Sequence, residues 1–369
     1  MKAKKYKFNK NTKIKNPLRV FFLCGTKFFK DEEEDKRNVL KKYIETKYAP
    51  NGKVIILEEH FMFGEAGNGY LSYDKIFMRN LKDIELLTGL YSDKIFIIHE
   101  SISTAAELGM FASNMSLLKK TCLMIPDILS VEEDKISAFI RLAYFKHPSE
   151  EEKIEKITFY PKIRNNIVSE TKIDYHTFFP GNSIRKRLAL QIDQFIQKDY
   201  DENFEINFKK NQFNKAFEGD NIISYFYYDK PDEKTLNVTF PPSVLRMLLI
   251  ALFNITEFKQ ELRKAPNISK TVGVVEKFFK SIIRESVSHI EAISFSDYEM
   301  NLLLKGENIK IRQAIAYFLY MLQALGMLKL PDDKENKQQL VITTQFKQLY
   351  EANFNILKEI KKSKLTDSL

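Results

Sequence analysis

Glu107 stands in the string His99-Glu100-Ser101-Ile102-Ser103-Thr104-Ala105-Ala106-Glu107-Leu108-Gly109, directly after the apolar run Ile95-Phe96-Ile97-Ile98. Four bulky apolar residues in a row read as a strand buried on both faces, and Ser103 and Thr104 are N-cap types for a following helix. That spacing predicts Glu107 in the first turn of the helix, at the carboxyl end of the strand, where open α/β sheets bind ligands. Ala105, Ala106 and Gly109 leave room for a substrate to approach. A carboxylate so placed can stabilise a developing cation or attack an electrophilic carbon. It can also be no more than an acid favoured by the helix dipole. A second strand end, Leu23-Cys24-Gly25-Thr26, carries a glycine of the kind that lets backbone approach a ribose or phosphate, or that serves a tight turn. The chain has no G-x-G-x-x-G, so a dinucleotide fingerprint is not expected. Three glycines between Phe63 and Gly69 fit either a flap or a plain connection, and His60, His147 and His176 lack metal-ligand spacing.

The elements that must position these residues alternate through the first 126 residues. Strands are expected at Leu18 to Cys24, Lys53 to Leu57, Lys94 to Ile98 and Thr121 to Ile125, with helices at Glu34 to Lys47, Lys75 to Thr88 and Thr104 to Leu118. This order predicts an α/β, doubly wound (Rossmann-like) parallel-sheet domain over 16–150. A mainly helical connecting region with a few extra strands is expected over 151–265, with helical stretches at 131–145, 183–198 and 243–264 in and around it. Beyond it, a long amphipathic helix over 271–292, a short helix opened by Ser296-Asp297-Tyr298-Glu299, a helix over 309–325 and a hairpin (327–330 with 339–343) follow the winged-helix order, predicting such a domain over 266–350. On its second helix Lys310, Arg312, Gln313 and Tyr317 are the residues expected to touch a nucleic acid or a partner, while Phe318, Leu319 and Leu322 are expected in the core. The basic residues are thin for a duplex reader.

Composition sets the outer limits. A chain of 369 residues, 44% hydrophobic and 13% aromatic, has enough for two or three folded domains. The formal charge of +9 lies outside the folded body: residues 1–15 carry seven lysines and no acid, and 355–369 carry four lysines against two acids, which together account for all nine. Segments 1–15 and 351–369 are therefore expected as basic tails, the first a flexible arm for a phosphate backbone or simply a solubilising terminus. Cys24 and Cys122 lie in apolar runs and fit small core residues of a reducing compartment. No apolar run approaches the length needed to span a bilayer, so a cytoplasmic protein without membrane contact is expected.

Four strings in order resemble the nucleoside 2-deoxyribosyltransferases: Leu23-Cys24-Gly25-Thr26-Lys27-Phe28-Phe29, Asp83-Ile84-Glu85-Leu86-Leu87-Thr88-Gly89 before Ser92-Asp93, Ala106-Glu107-Leu108-Gly109, and Lys120-Thr121-Cys122-Leu123-Met124-Ile125-Pro126-Asp127. The resemblance covers about a third of the chain. It implies that Glu107 is the nucleophile and that Glu85, or Asp83 if the register shifts by a turn, contacts the departing base. Cys24, Gly25, Thr26, Ser101 and Ser103 would line the substrate. The family usually has aspartate where this chain has Glu85, and aspartates before its nucleophile where this chain has Glu100-Ser101-Ile102-Ser103. Cleavage of an N-glycosidic bond passes through an oxocarbenium-like state, which a carboxylate below the anomeric carbon can stabilise or trap. A second acid can protonate or hydrogen-bond the base.

The long extension beyond the α/β domain is similar to the deoxyribosyltransferase-like effector proteins of bacterial retron anti-phage defence. That likeness implies a toxic N-glycosidase acting on a nucleotide such as NAD, as substrate and not cofactor, held inactive by a reverse transcriptase and its multicopy single-stranded DNA. A second copy of the chain is a further partner to consider. A salvage deoxyribosyltransferase and a winged-helix DNA-binding regulator with a ligand-sensing α/β domain are the alternatives.

Overall fold

The computed structural model describes residues 5–9, 13–14, 16–25, 35–60, 81–126, 157–160, 163–168, 173–198, 204–205, 208–210, 226–229, 235–287, 299–305, 309–331, 340–353 and 356–360. Thr26, the glycine-rich loop 63–69 and the helical stretch expected at 131–145 lie outside them. The chain forms two compact units, one made of 19–65 with 81–201 and the other of 1–18, 66–80 and 202–369.

The first unit is built on a parallel sheet. Its strands are β1 (Arg19–Cys24), β2 (Gly52–Ile55), β3 (Lys94–Ile98), β4 (Thr121–Pro126) and β5 (Ile157–Tyr160), in the order β2-β1-β3-β4-β5 with every pairing parallel. The four strands expected from the alternation are all present, and β5 adds a fifth. Buried residues run unbroken through β3 because helices cover both faces of the sheet. Phe21, Leu23, Phe96, Cys122 and Met124 pack on one face with Leu40 and Ile44 of α1 (Lys36–Lys47) and with Ile192, Phe195 and Ile196 of α6 (Lys186–Gln197). On the other face Phe22 meets Phe111 of α4 (Ile102–Ala112) edge to face, their centroids 6.0 Å apart. Gly89 of α3 (Leu81–Tyr91) lies so close to Ile95 and to Leu117 of α5 (Met115–Leu118) that an added Cβ would sit 3.3 Å and 3.2 Å from them. Residues 151–201, expected in a mainly helical connecting region with a few extra strands, belong instead to this unit: they supply β5, the hairpin β6 (Ile163–Val168) with β7 (Ile173–Phe178), and α6.

The sheet order matters for function. In sequence numbering it is 2-1-3-4-5, so the chain winds outward in both directions from the gap between β1 and β3. At such a reversal the loops leaving the two strands diverge and open a crevice at their carboxyl ends.

The second unit carries a mixed sheet ordered Phe208–Lys210, Phe226–Asp229, Thr235–Phe240, Glu299–Leu304 and Ile309–Lys310. Its helices are α7 (Pro242–Ala251), α8 (Thr256–Arg263), α9 (Ile268–Val287), α10 (Ile311–Ala324) and α11 (Thr344–Ala352), with a short hairpin pairing Leu328–Lys329 and Val341–Ile342. Two expectations change here. The segment opened by Glu299 is a strand parallel to Thr235–Phe240, and its burial alternates residue by residue where a helix was expected. Helix α10, expected to present a recognition face, is buried on most sides: Tyr317 and Tyr320 are 0% and 3% exposed, and only Lys310 and Gln313 of the four residues expected to touch a partner are exposed. Arg312 is held by Glu276 on α9, Nη1 to Oε2 at 2.9 Å.

The expected tails are in part folded. Lys5–Phe8 pairs antiparallel with Leu357–Ile360. Tyr6 and Phe8 alternate with the lysines, and Phe8, 2% exposed, packs against Phe279 while its amide donates to Ser286 Oγ at 2.7 Å. The alternation gives the strand an apolar side to bury, which a solvated arm would not have.

Candidate active site

The crevice at the reversal holds an acidic cluster with one buried cation. Helix α4 begins directly after β3, and its N-cap is Ser101, not the Ser103 or Thr104 expected. The Ser101 hydroxyl accepts from the Thr104 amide at 3.4 Å, and the Thr104 hydroxyl accepts from the Ser101 amide at 3.2 Å. Thr104 also hydrogen-bonds His99 Nδ1 at 3.1 Å. This reciprocal cap places Glu107 sixth in the helix, in the second turn. The stabilisation of acids by the helix dipole fades within the first turn, so it does not account for Glu107.

Glu107 Oε2 is buried and has no hydrogen-bond partner among the described residues. Burial, with the charges of Glu85 and Glu58, pushes its carboxyl up to about 8, and Arg37 opposes the rise. Glu85 projects half-buried from α3, whose other face buries Ile84, Leu87 and Leu90. Burial, followed by the charge of Glu58, raises it to about 7. Cys24, at the end of β1, lies in the same field: burial and then Glu107, Glu85 and Glu58 push its thiol well up, with Arg37 again opposing the rise. The thiol is therefore a neutral wall and not a nucleophile at physiological pH.

Of the expected site residues, the structure brings together Glu107, Glu85, Cys24 and Gly25. After burial, Glu85 does most to raise Glu107, ahead of Glu58. Ser101 and Ser103 hydrogen-bond each other at 2.8 Å at the helix start. Asp93, part of the family-like string, accepts from the Val20 amide at 2.6 Å and ties β1 to the start of β3.

Arg37 and Glu58 complete the cluster and escape sequence reasoning. Asp35 caps α1 through the amides of Arg37 and Asn38, at 2.8 and 3.4 Å, which sets Lys36 and Arg37 in the first turn. The Arg37 side chain is 2% exposed and donates from Nη1 to Glu58 Oε1 at 3.0 Å; Glu58 lies on α2 (Leu57–His60), just after β2. Gly25 is the surface on which Arg37 rests, since a Cβ there would meet Arg37 Cδ at 3.0 Å. Lys36, 8% exposed, turns instead to Glu100, which also accepts from the hydroxyl of the fully buried Tyr160 at the end of β5. One signal was available: two basic residues in a helix's first turn oppose its dipole, and so call for anionic partners.

The fold and the site define an open α/β protein whose switch-point crevice is lined by carboxylates. The chain belongs to the STM3845 retron effector protein family, whose model matches residues 33–330 and thus covers β2 to β5 of the parallel sheet and most of the second unit. No curated protein matches the chain.

Proposed function

We propose that this retron effector is a nucleotide N-glycosidase that cleaves NAD, releasing nicotinamide. The observation that carries the reading is the Glu107 carboxylate oxygen, buried without a partner among the described residues at the sheet's reversal, beside a second raised carboxylate. The charge of such a site favours a cationic ligand. Glu107, Glu85 and Glu58 repel one another, so a substrate bringing positive charge relieves the repulsion that adds to burial in raising two of them. The glycosyl bond of NAD joins ribose to a cationic pyridinium, and the electrons of that bond leave with the ring to give neutral nicotinamide. Positive charge then passes to the ribose as an oxocarbenium ion, which ionised Glu107 stabilises or traps. Water adds at the anomeric carbon, giving ADP-ribose and a proton. Glu85 hydrogen-bonds the departing base or holds the water.

Membership of the family ties the chain to retron defence. In this reading the reverse transcriptase and its multicopy single-stranded DNA hold the effector inactive, and its release depletes the nucleotide. The test is a chromatographic assay of base release from NAD and from deoxynucleosides, the latter with and without a free acceptor base. Nicotinamide release supports the hydrolase; base exchange on a deoxynucleoside with NAD left intact would replace it with a transferase.

A further inference from the structure

The second unit contains a cavity of about 580 Å³ between α8, α11 and the hairpin strand Val341–Ile342. That size lies in the range of sites that enclose small molecules. Its walls come from Phe253, Leu262, Leu340 and Ile342, of which the first two are 2% exposed and Leu340 9%. Three cations, Lys259, Arg263 and Lys347, line it with a single acid, Glu351. Arg263 and Lys347 are in no ion pair among the described residues. Lys259 is steadied over the Tyr350 ring, Nζ 5.4 Å from its centroid.

Charge and shape together specify a ligand class. Three cations against one acid leave the cavity with an excess of two positive charges, the complement of a phosphate monoester, which carries roughly −1.5 to −2 at neutral pH. An apolar floor beneath a cationic rim suits a ligand with a flat or apolar body attached to that phosphate. A long acidic peptide or a nucleic acid strand fits less well, because the cations converge on one concavity and do not run along a groove. We infer that this cavity is a binding site for a phosphate monoester with an aromatic or apolar body, a ligand class that includes nucleoside monophosphates and aryl phosphates. The site belongs to the second unit, and the inference does not depend on what the carboxylate cluster of the first unit cleaves.

The chain contains no tryptophan, so a Val341→Trp substitution at the lip, where Val341 is 55% exposed, gives a single indole reporter in the full-length protein. Titration with AMP and with phenyl phosphate should give saturable emission changes, with inorganic phosphate and adenosine each at least about tenfold weaker than AMP. Adding Arg263→Gln and Lys347→Gln to this reporter should weaken AMP by roughly tenfold or more for each charge-assisted hydrogen bond removed, with the melting temperature retained. A response to phenyl phosphate and not AMP would assign the site to aryl phosphates within the class. No saturable response to either ester, an unchanged response after removal of the two cations, or saturation only by an acidic phenylalanine-containing peptide would each overturn the inference.

Discussion

At the scale of single residues, the site is a set of carboxylates held away from their ordinary ionisation. Glu107 rises to about 8 from an ordinary value of 4.5 because it is buried beside Glu85 and Glu58. Below the ordinary value both the folded and unfolded chains carry its proton. Between there and about 8 only the folded chain keeps it, so this group's contribution to stability falls as pH rises through that window. Glu107→Gln removes the penalty: its melting temperature should match wild type near pH 4 and exceed it near pH 8, on the order of a few degrees, by scanning calorimetry. Activity should move the opposite way. Nicotinamide leaves neutral and needs no proton from Glu85, so kcat/KM for NAD should climb with pH across about 7 to 8 as the pair ionises. Glu58→Gln takes away a charge that raises both groups, and frees Arg37 to lower Glu107 further. The rise in the pH–rate profile should therefore shift to lower pH; a profile unmoved by Glu58→Gln would show that this electrostatic assignment is wrong. The central acid was legible because strand, small residues and carboxylate are local in sequence. Arg37 and Glu58 were not, because what makes them functional is a meeting across α1 and α2 that no local pattern encodes.

At the scale of elements, helix α1 aims both buried cations, and its far end is tied down by Asp193 of α6. Asp193 accepts from the hydroxyls of Tyr43 and Tyr48 at 2.9 and 2.8 Å and pairs with Lys47. Burial comes first, and the Asp193 hydrogen bond next, in raising both tyrosines. Asp193→Ala would strand two tyrosine hydroxyls and should cost about 2–4 kcal/mol in denaturant unfolding. Asp193→Asn, which keeps an acceptor, should cost less. The parallel strands were readable from their buried apolar runs, while β5 was not, since its pairing with β4 spans a segment with no regular pattern. The strand Glu299–Leu304 falls where the N-cap type Ser296 and the acidic residues after it predict a helix. Its buried and exposed alternation at Met300, Asn301 and Leu302 was nonetheless present in the sequence.

At the scale of the whole molecule, the basic charge concentrated toward the termini hides a structural role. Lysines dominate 1–15, but Tyr6 and Phe8 set a strand whose partner lies more than 300 residues away, a pairing invisible to any window of sequence. Phe8→Ala should cost about 3–5 kcal/mol, the usual range for emptying a buried aromatic site, whereas a tail residue would cost nothing measurable by the same unfolding experiment. The retron family assignment rests on a match across both units. The most direct measurement is the fate of NAD incubated with the full-length protein, wild type beside Glu107→Gln. Equimolar nicotinamide and ADP-ribose should appear with the wild type, and neither with a Glu107→Gln protein of undiminished melting temperature. NAD left intact by the wild type, or cleaved equally well by both proteins, would contradict the account.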